Sequence, residues 1–253
     1  MEQIAICHLS VVPLRKEPSV KSEMVNQIIM GELVTILDEN EKWYMVRLNH
    51  DDYEGWVDKK QIELLNKLPT ENSMISEAVL NIGTDSQKRL IYIPAGSIMH
   101  NFKEESFDCG NQTIRLTSYK QNCYTGIEEV SKAFLKIPYL WGGRTLMGMD
   151  CSGFTQIVFR LHGHSIKRDA YQQAETGEVV AFVDECKSGD LAFFDNADGK
   201  ITHVGIVLVE TNHTFKIIHC SGEVRIDAFD HQGIYNETSG TYTHNLRLIK
   251  RVF

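Results

Sequence analysis

Residues 139–159 read Tyr-Leu-Trp-Gly-Gly-Arg-Thr-Leu-Met-Gly-Met-Asp-Cys-Ser-Gly-Phe-Thr-Gln-Ile-Val-Phe, and this stretch constrains the fold more than any other. A loop containing Gly142, Gly143 and Gly148 leads straight into Asp150-Cys151-Ser152, after which Phe154, Ile157, Val158 and Leu161 recur at i, i+3, i+4 and i+7. That period is one apolar face of a helix. The register puts Cys151 in the first helical turn, where unpaired backbone N–H groups and the positive end of the dipole favour a thiolate over a thiol. Asp150 suits the N-cap. The plainer alternative is a small apolar cysteine packed under a helix start.

Two histidines downstream bear on that choice. His203 lies in Ile-Thr-His-Val-Gly-Ile-Val-Leu-Val (201–209) and His219 in Phe-Lys-Ile-Ile-His-Cys-Ser-Gly (215–222), both runs of β-branched and apolar residues that read as strands. Alternation puts His203 on one face with Ile201, Gly205 and Val207, and His219 on one face with Phe215 and Ile217. Two neighbouring strands then hold a base and an orienter beside a nucleophile. Cys151, His203, His219 and Cys220 also have the chemistry of zinc ligands. However, no C-x₂-C or H-x₃-H pair is present, and adjacent His219 and Cys220 point to opposite faces of a strand.

Composition narrows the class. With 253 residues the chain is long enough for two or three compact units, and 42% apolar and 24% charged residues are ordinary for a globular protein. A formal net charge of −8 with no Lys/Arg run argues against nucleic acid or an anionic membrane as a partner. No stretch approaches the ~20 apolar residues of a membrane helix, so no membrane insertion is expected. The first residues lack a basic segment followed by an apolar core. The chain therefore reads as cytoplasmic, or as periplasmic if a signal peptide has been removed. Six cysteines (Cys7, Cys109, Cys123, Cys151, Cys186, Cys220) are scattered without short-range pattern, which suits a reduced chain; pairing of Cys109 with Cys123 stays open.

The periodicity changes along the chain. Short strands at 11–12, 25–30, 32–37, 43–48 and 54–57, punctuated by Gly31, Asp38-Glu-Asn40 and Asn49-His-Asp-Asp52, predict a small β-barrel over residues 1–65. Its Trp43 and Trp56 are read as core or rim residues. Residues 66–120 predict a second, degenerate barrel, because Gly96-Ser-Ile echoes Gly31-Glu-Leu. From Gly126 the period becomes helical: Ile127, Val130, Ala133, Phe134 and Ile137 predict a helix ending before Pro138. Strands at 190–194, 201–210, 214–220 and 245–252 follow the Cys151 helix. Helices before strands make residues 121–253 an α+β domain, with helices packed on an antiparallel sheet.

Six segments together carry a resemblance: Tyr139-Leu-Trp-Gly-Gly, Asp150-Cys-Ser-Gly-Phe, Arg168-Asp169, Ser188-Gly-Asp-Leu-Ala-Phe-Phe, Thr202-His-Val-Gly-Ile and Ile218-His-Cys-Ser-Gly. In order and spacing they resemble the NlpC/P60 family of cell-wall cysteine peptidases. Gln27-Ile-Ile-Met-Gly-Glu-Leu-Val-Thr-Ile-Leu and Tyr53-Glu-Gly-Trp-Val resemble a bacterial SH3-type domain. The whole chain looks like the γ-D-glutamyl-L-diamino acid endopeptidases (dipeptidyl-peptidase VI) that carry such domains ahead of a papain-like catalytic domain. The resemblance implies a Cys151–His203–His219 catalytic set with no cofactor and no metal. It implies oxyanion and positioning roles for the Cys151 N–H, Tyr139 and Trp141. The implied substrate is a murein peptide with a free L-Ala amine, bound with help from Asp150, Ser152 and Asp169, and the implied protein is a monomer. Tyr53 and a carboxylate near the start of the first barrel are implied to complete the amine site; Glu23 is the choice among Glu17, Glu23 and Glu32. Two other readings stay open: a peptidoglycan-peptide binding module without activity, and an amidase or acyltransferase on the same scaffold.

Overall fold

The computed structural model describes residues 3–69, 72–119 and 124–253. The chain divides into two compact units, 1–123 and 124–253. Cys123, one half of the open cysteine pairing, lies outside the described residues; Cys109 is a free, buried thiol that donates to Cys7 O at 3.4 Å.

The first unit contains two small β-structures. Seven strands pair in the spatial order Met24–Ile29, Val11–Arg15, Glu54–Asp58, Trp43–Leu48, Leu33–Glu39, Ile4–Ile6 and Glu63–Leu64. Their inward residues Val12, Leu14, Ile28, Val34, Val46, Leu48 and Val57 are fully buried, while Trp43 closes the rim at 8% exposure. Six further strands form the small barrel expected after it, in the order Leu90–Pro94, Leu80–Thr84, Gln112–Ser118, Ser106–Cys109, Ile98–Lys103 and Ser73–Ile75. The sequence echo is a shared turn. Gly31 and Gly96 both sit at φ +81°, and both are followed by a residue whose N–H closes back three positions, Glu32 to Ile29 O and Ser97 to Pro94 O. Ile6 and Met30 of the first barrel pack with Ile93, Met99, Phe107 and Ile114 of the second, so the two share a core.

In the second unit a closed antiparallel sheet carries the helices. The order is Glu178–Val180, Thr241–Arg251, Leu191–Asp195, Ile201–Val209, Phe215–Ser221, Glu223–Asp230 and Gly233–Asn236, and Thr241–Arg251 also pairs with Gly233–Asn236. That extra pairing removes the free edges between those strands. The Cys151–Leu161 helix packs on the Ile201–Val209 and Phe215–Ser221 strands through Phe154, Ile157 and Val158, each fully buried as the periodicity required. The preceding helix is shorter than expected. It runs Ile127–Lys132, and Phe134, Leu135 and Ile137 continue as turns closing on Ser131, Lys132 and Phe134. Lys136, at φ +71°, breaks the helical path so that its N–H reaches Val224 O at 2.9 Å.

Candidate active site

The Cys151 helix starts where Asp150 stops the glycine loop. Asp150 is extended at φ −91°, ψ 178°, and its carboxylate accepts from the Gly153 N–H at 2.7 Å, which makes it the N-cap. The same carboxylate accepts from the Gly142 N–H at 2.8 Å and from both terminal nitrogens of Arg168 at 3.0 and 2.7 Å. Arg168, 2% exposed, donates also to Ser152 Oγ at 2.9 Å. One buried bidentate pair therefore clamps the loop before Cys151 and the first turn after it. Gln173 extends the clamp: its amide donates to Ser152 O at 3.0 Å and Lys167 O at 2.8 Å, and accepts from Thr155 Oγ1 at 2.8 Å.

Cys151 is the first helical residue and only 7% exposed. Its thiol lies 3.9 Å from Thr202 O and is hydrogen-bonded by the backbone of Val204, so the sulfur faces the chain on either side of His203. His203 Nε2 is 2.8 Å from His219 Nδ1, with the rings at 87°. Strand register produces that contact. Gly205 stands opposite His219, two residues from His203 on the same face, and a Cβ at Gly205 would come within 2.9 Å of the His219 Cβ and 2.7 Å of the Ile217 side chain. The missing side chain gives the His219 ring its place. His219 Nε2 in turn meets Asp227 Oδ2 at 2.9 Å, and Arg225 donates to Asp227 Oδ1 at 2.7 Å.

The electrostatics run against the expectation of a thiolate at Cys151. Burial pushes the Cys151 thiol from 9.0 up to about 12, the Asp150 carboxylate adds to the rise, and the Val204 hydrogen bond and Arg168 oppose it. A helix terminus contributes about 0.3–1 kcal/mol, less than one pKa unit, and is outweighed by the cost of desolvating a thiolate. Burial therefore favours the thiol over the thiolate in the resting site. Burial, then the neighbouring His219 and His244, hold His203 well below 6.5, which favours its neutral imidazole.

The other expected site residues fall as follows. Tyr139, 38% exposed, donates its N–H to Gly222 O at 2.8 Å; burial and then the Cys151 and Asp150 charges push its hydroxyl up to about 12. Trp141 is 59% exposed in the glycine loop. Asp150 and Ser152 are committed to the Arg168 clamp. Asp169 precedes the Ala170–Gln173 helix at its N-cap position, and its N–H donates to Gln172 Oε1 at 3.1 Å. In the first unit, Glu23 pairs with Lys16 at 3.8 Å, and Tyr53 packs half-buried on the barrel core. Cys220 donates to Met149 O at 3.0 Å. Among the described residues, no group of three or more His, Cys, Asp or Glu side chains is arranged to hold a metal ion.

Three residues beside the histidines were not singled out from sequence. Asp227 and Arg225 sit on Glu223–Asp230, on the charged face of an alternating run from Glu223 to Ala228, a face that reads as solvent-exposed from sequence. His244 stacks on His203 with ring centroids 4.2 Å apart at 26°, and it lies one position before the strand predicted from 245.

Comparison with known proteins shows the family. The model of the NlpC/P60 family matches residues 136–243, and that of the bacterial dipeptidyl-peptidase SH3 domain matches residues 14–62. A gamma-D-glutamyl-L-lysine dipeptidyl-peptidase of Bacillus subtilis strain 168 is 32% identical over 201 residues, covering 71% of this chain and 68% of the relative. Dipeptidyl-peptidase 6 of Lysinibacillus sphaericus is 24% identical, with 90% of this chain and 92% of that one covered. The crystal structure of a Bacillus cereus NlpC/P60 family protein superposes with a TM-score of 0.77 at 18% identity, covering 98% and 99% of the two chains. An NlpC/P60 endopeptidase from Photobacterium damselae subsp. piscicida gives 0.70 at 14% identity, covering 97% of this chain and 70% of that one. At these identities the two structures show the fold. The chain belongs to the NlpC/P60 peptidase family and carries a bacterial dipeptidyl-peptidase SH3 domain ahead of its peptidase domain.

Proposed function

We propose that this protein is a cysteine peptidase that hydrolyses the γ-D-Glu–diamino acid bond of cell-wall peptides with a free N-terminal L-Ala, releasing L-Ala-D-Glu. The observation that carries the reading is the Cys151 thiol set against the backbone of Thr202 and Val204, on the strand that carries His203, whose ring is hydrogen-bonded to His219 at 2.8 Å. With Nε2 of His203 engaged by His219, the other ring nitrogen, Nδ1, takes the thiol proton as sulfur attacks the γ-carbonyl carbon of D-Glu. The oxyanion forms at the helix start, where the Cys151 N–H is one of the orphan donors and the Tyr139 hydroxyl is close by. Collapse breaks the C–N bond, and His203 returns the proton to the departing amine. A water molecule then gives a proton to Nδ1 while its oxygen attacks the thioester, and the thiol is regenerated.

A free L-Ala amine calls for acceptors, and Asp169, next to the Arg168 clamp, is our candidate. An acylated amine has no charge to offer and leaves a buried acceptor unpaired, at about 1–3 kcal/mol per group and more for a charged one. A site built around a polar group rejects analogues lacking it by roughly 10⁴. The reading thus places the enzyme on peptides already detached from sugar, in turnover of murein fragments.

The test compares L-Ala-γ-D-Glu-diaminopimelate and its L-Lys counterpart with their N-acetyl and N-muramyl forms, using mass spectrometry of the products. The reading expects L-Ala-D-Glu from the free peptides and a collapse of kcat/KM on the blocked ones. Equal cleavage of free and blocked peptides contradicts it. Run on Asp169→Asn, Glu23→Gln and Tyr53→Phe, the same comparison tests the amine-binding roles that the family resemblance gives those residues.

A further inference from the structure

The least explained chemistry near the two histidines is on the Glu223–Asp230 strand. Arg225 stands opposite His219, and Asp227 follows two residues along on the same face, 8% exposed. Its Oδ2 meets His219 Nε2 at 2.9 Å and its Oδ1 accepts from Arg225 at 2.7 Å. Burial raises the Asp227 pKa, but the hydrogen bonds from His219 and Arg225 outweigh it and keep the carboxyl below its ordinary range, hence ionised.

An ionised carboxylate only accepts. The proton on His219 therefore sits on Nε2, and its Nδ1 lone pair accepts from the Nε2–H of His203. A neutral His203 is left with its lone pair on Nδ1, the nitrogen that takes the thiol proton. When the proton arrives, the imidazolium still donates from Nε2 to the same lone pair, so no hydrogen bond in the line is reversed. We propose that Asp227, itself oriented by Arg225, is a positioning residue that fixes the tautomer of His219 and, through it, aims the basic nitrogen of His203 at Cys151.

Arg225 gives the proposal a particular signature. The guanidinium has donors and no acceptor. In Asp227→Asn the amide oxygen therefore stays toward Arg225 and the NH₂ turns toward His219. His219 must then accept at Nε2 and carry its proton on Nδ1, which aims a donor at His203. The neutral base is forced into the wrong tautomer, or its imidazolium meets a donor. Removing Arg225 frees the amide to turn over and present its oxygen to His219.

The proposal rests on Cys151 and His203 being nucleophile and base. The experiment joins ¹⁵N NMR of labelled histidines with kinetics on L-Ala-γ-D-Glu-diaminopimelate. The unaltered protein should show the His219 proton on Nε2. Asp227→Asn should move it to Nδ1 and lower kcat by on the order of 10²–10⁴ with little change in KM. Arg225→Ala added to Asp227→Asn should return the proton to Nε2 and recover at least tenfold in kcat over the single variant. A proton on Nδ1 in the unaltered protein overturns the proposal even if the variants do not fold. So does an Asp227→Asn enzyme with unchanged kcat, or a double variant no faster than the single one. Turnover retained by Cys151→Ala would sink the nucleophile assignment, whereas the NMR arm judges the tautomer line separately.

Discussion

At the scale of single residues, the proposed chemistry depends on Cys151 and His203 being buried and neutral. Burial pushes the thiol up to about 12 and drives the imidazole well below 6.5, which favours the uncharged form of each at neutral pH. In the proposed mechanism, proton transfer then accompanies attack instead of preceding it. A neutral base is the active form, and His203 stays neutral until the pH falls through its lowered pKa. The acid limb of kcat/KM should therefore lie below pH 6.5, and no limb from the thiol is expected below about 12. A pH–rate profile with its acid midpoint at or above 6.5 would show that burial does not govern His203. The sequence displayed Cys151, His203 and His219 because each sits in a locally consistent element. It could not display their ionisation, which depends first on burial in the folded chain and, for His203, on His219 and His244 arriving from other strands.

At the scale of elements, two features hold the site in shape. Gly205 leaves the space in which the His219 ring reaches His203, since an added Cβ would stand 2.9 Å from the His219 Cβ. Gly205→Ala should therefore displace His219, lowering kcat more than it lowers the melting temperature would suggest. Activity equal to the unaltered enzyme would show that the ring has room elsewhere. The second feature is the Asp150–Arg168 pair, with side chains 8% and 2% exposed. Arg168→Met leaves a buried carboxylate without its counterion and should cost about 3–5 kcal/mol of stability, read by denaturant unfolding. A loss under about 1 kcal/mol would mean that the loop and helix hold Asp150 without it. The helix itself was legible from Phe154, Ile157 and Val158, and the His203 and His219 strands from their β-branched runs. The Glu223–Asp230 strand was not, although Glu223 to Ala228 alternates polar and apolar residues; its charged face reads as a solvent face, whereas Asp227 there is buried against His219. The short Ile127–Lys132 helix was over-extended for a related reason: Phe134 and Ile137 are buried by turns as effectively as by a helix.

For the whole molecule, the sequence also carried the two small β-structures, since the Gly31 and Gly96 turns repeat the same backbone conformation at φ +81°. Their shared core around Ile6, Met30, Phe107 and Ile114 was beyond it, being made of side chains far apart in the chain. The closure of the catalytic sheet by Thr241–Arg251 was likewise invisible, because pairing partners are not written in local pattern. The proposed activity rests on one sulfur. The most direct measurement is turnover of L-Ala-γ-D-Glu-diaminopimelate by the unaltered protein and by Cys151→Ala, side by side, with L-Ala-D-Glu quantified by mass spectrometry. The account predicts release by the unaltered protein and at least a 10³-fold loss in the variant, in keeping with removal of a covalent nucleophile. Release of L-Ala-D-Glu at an undiminished rate by Cys151→Ala would contradict it.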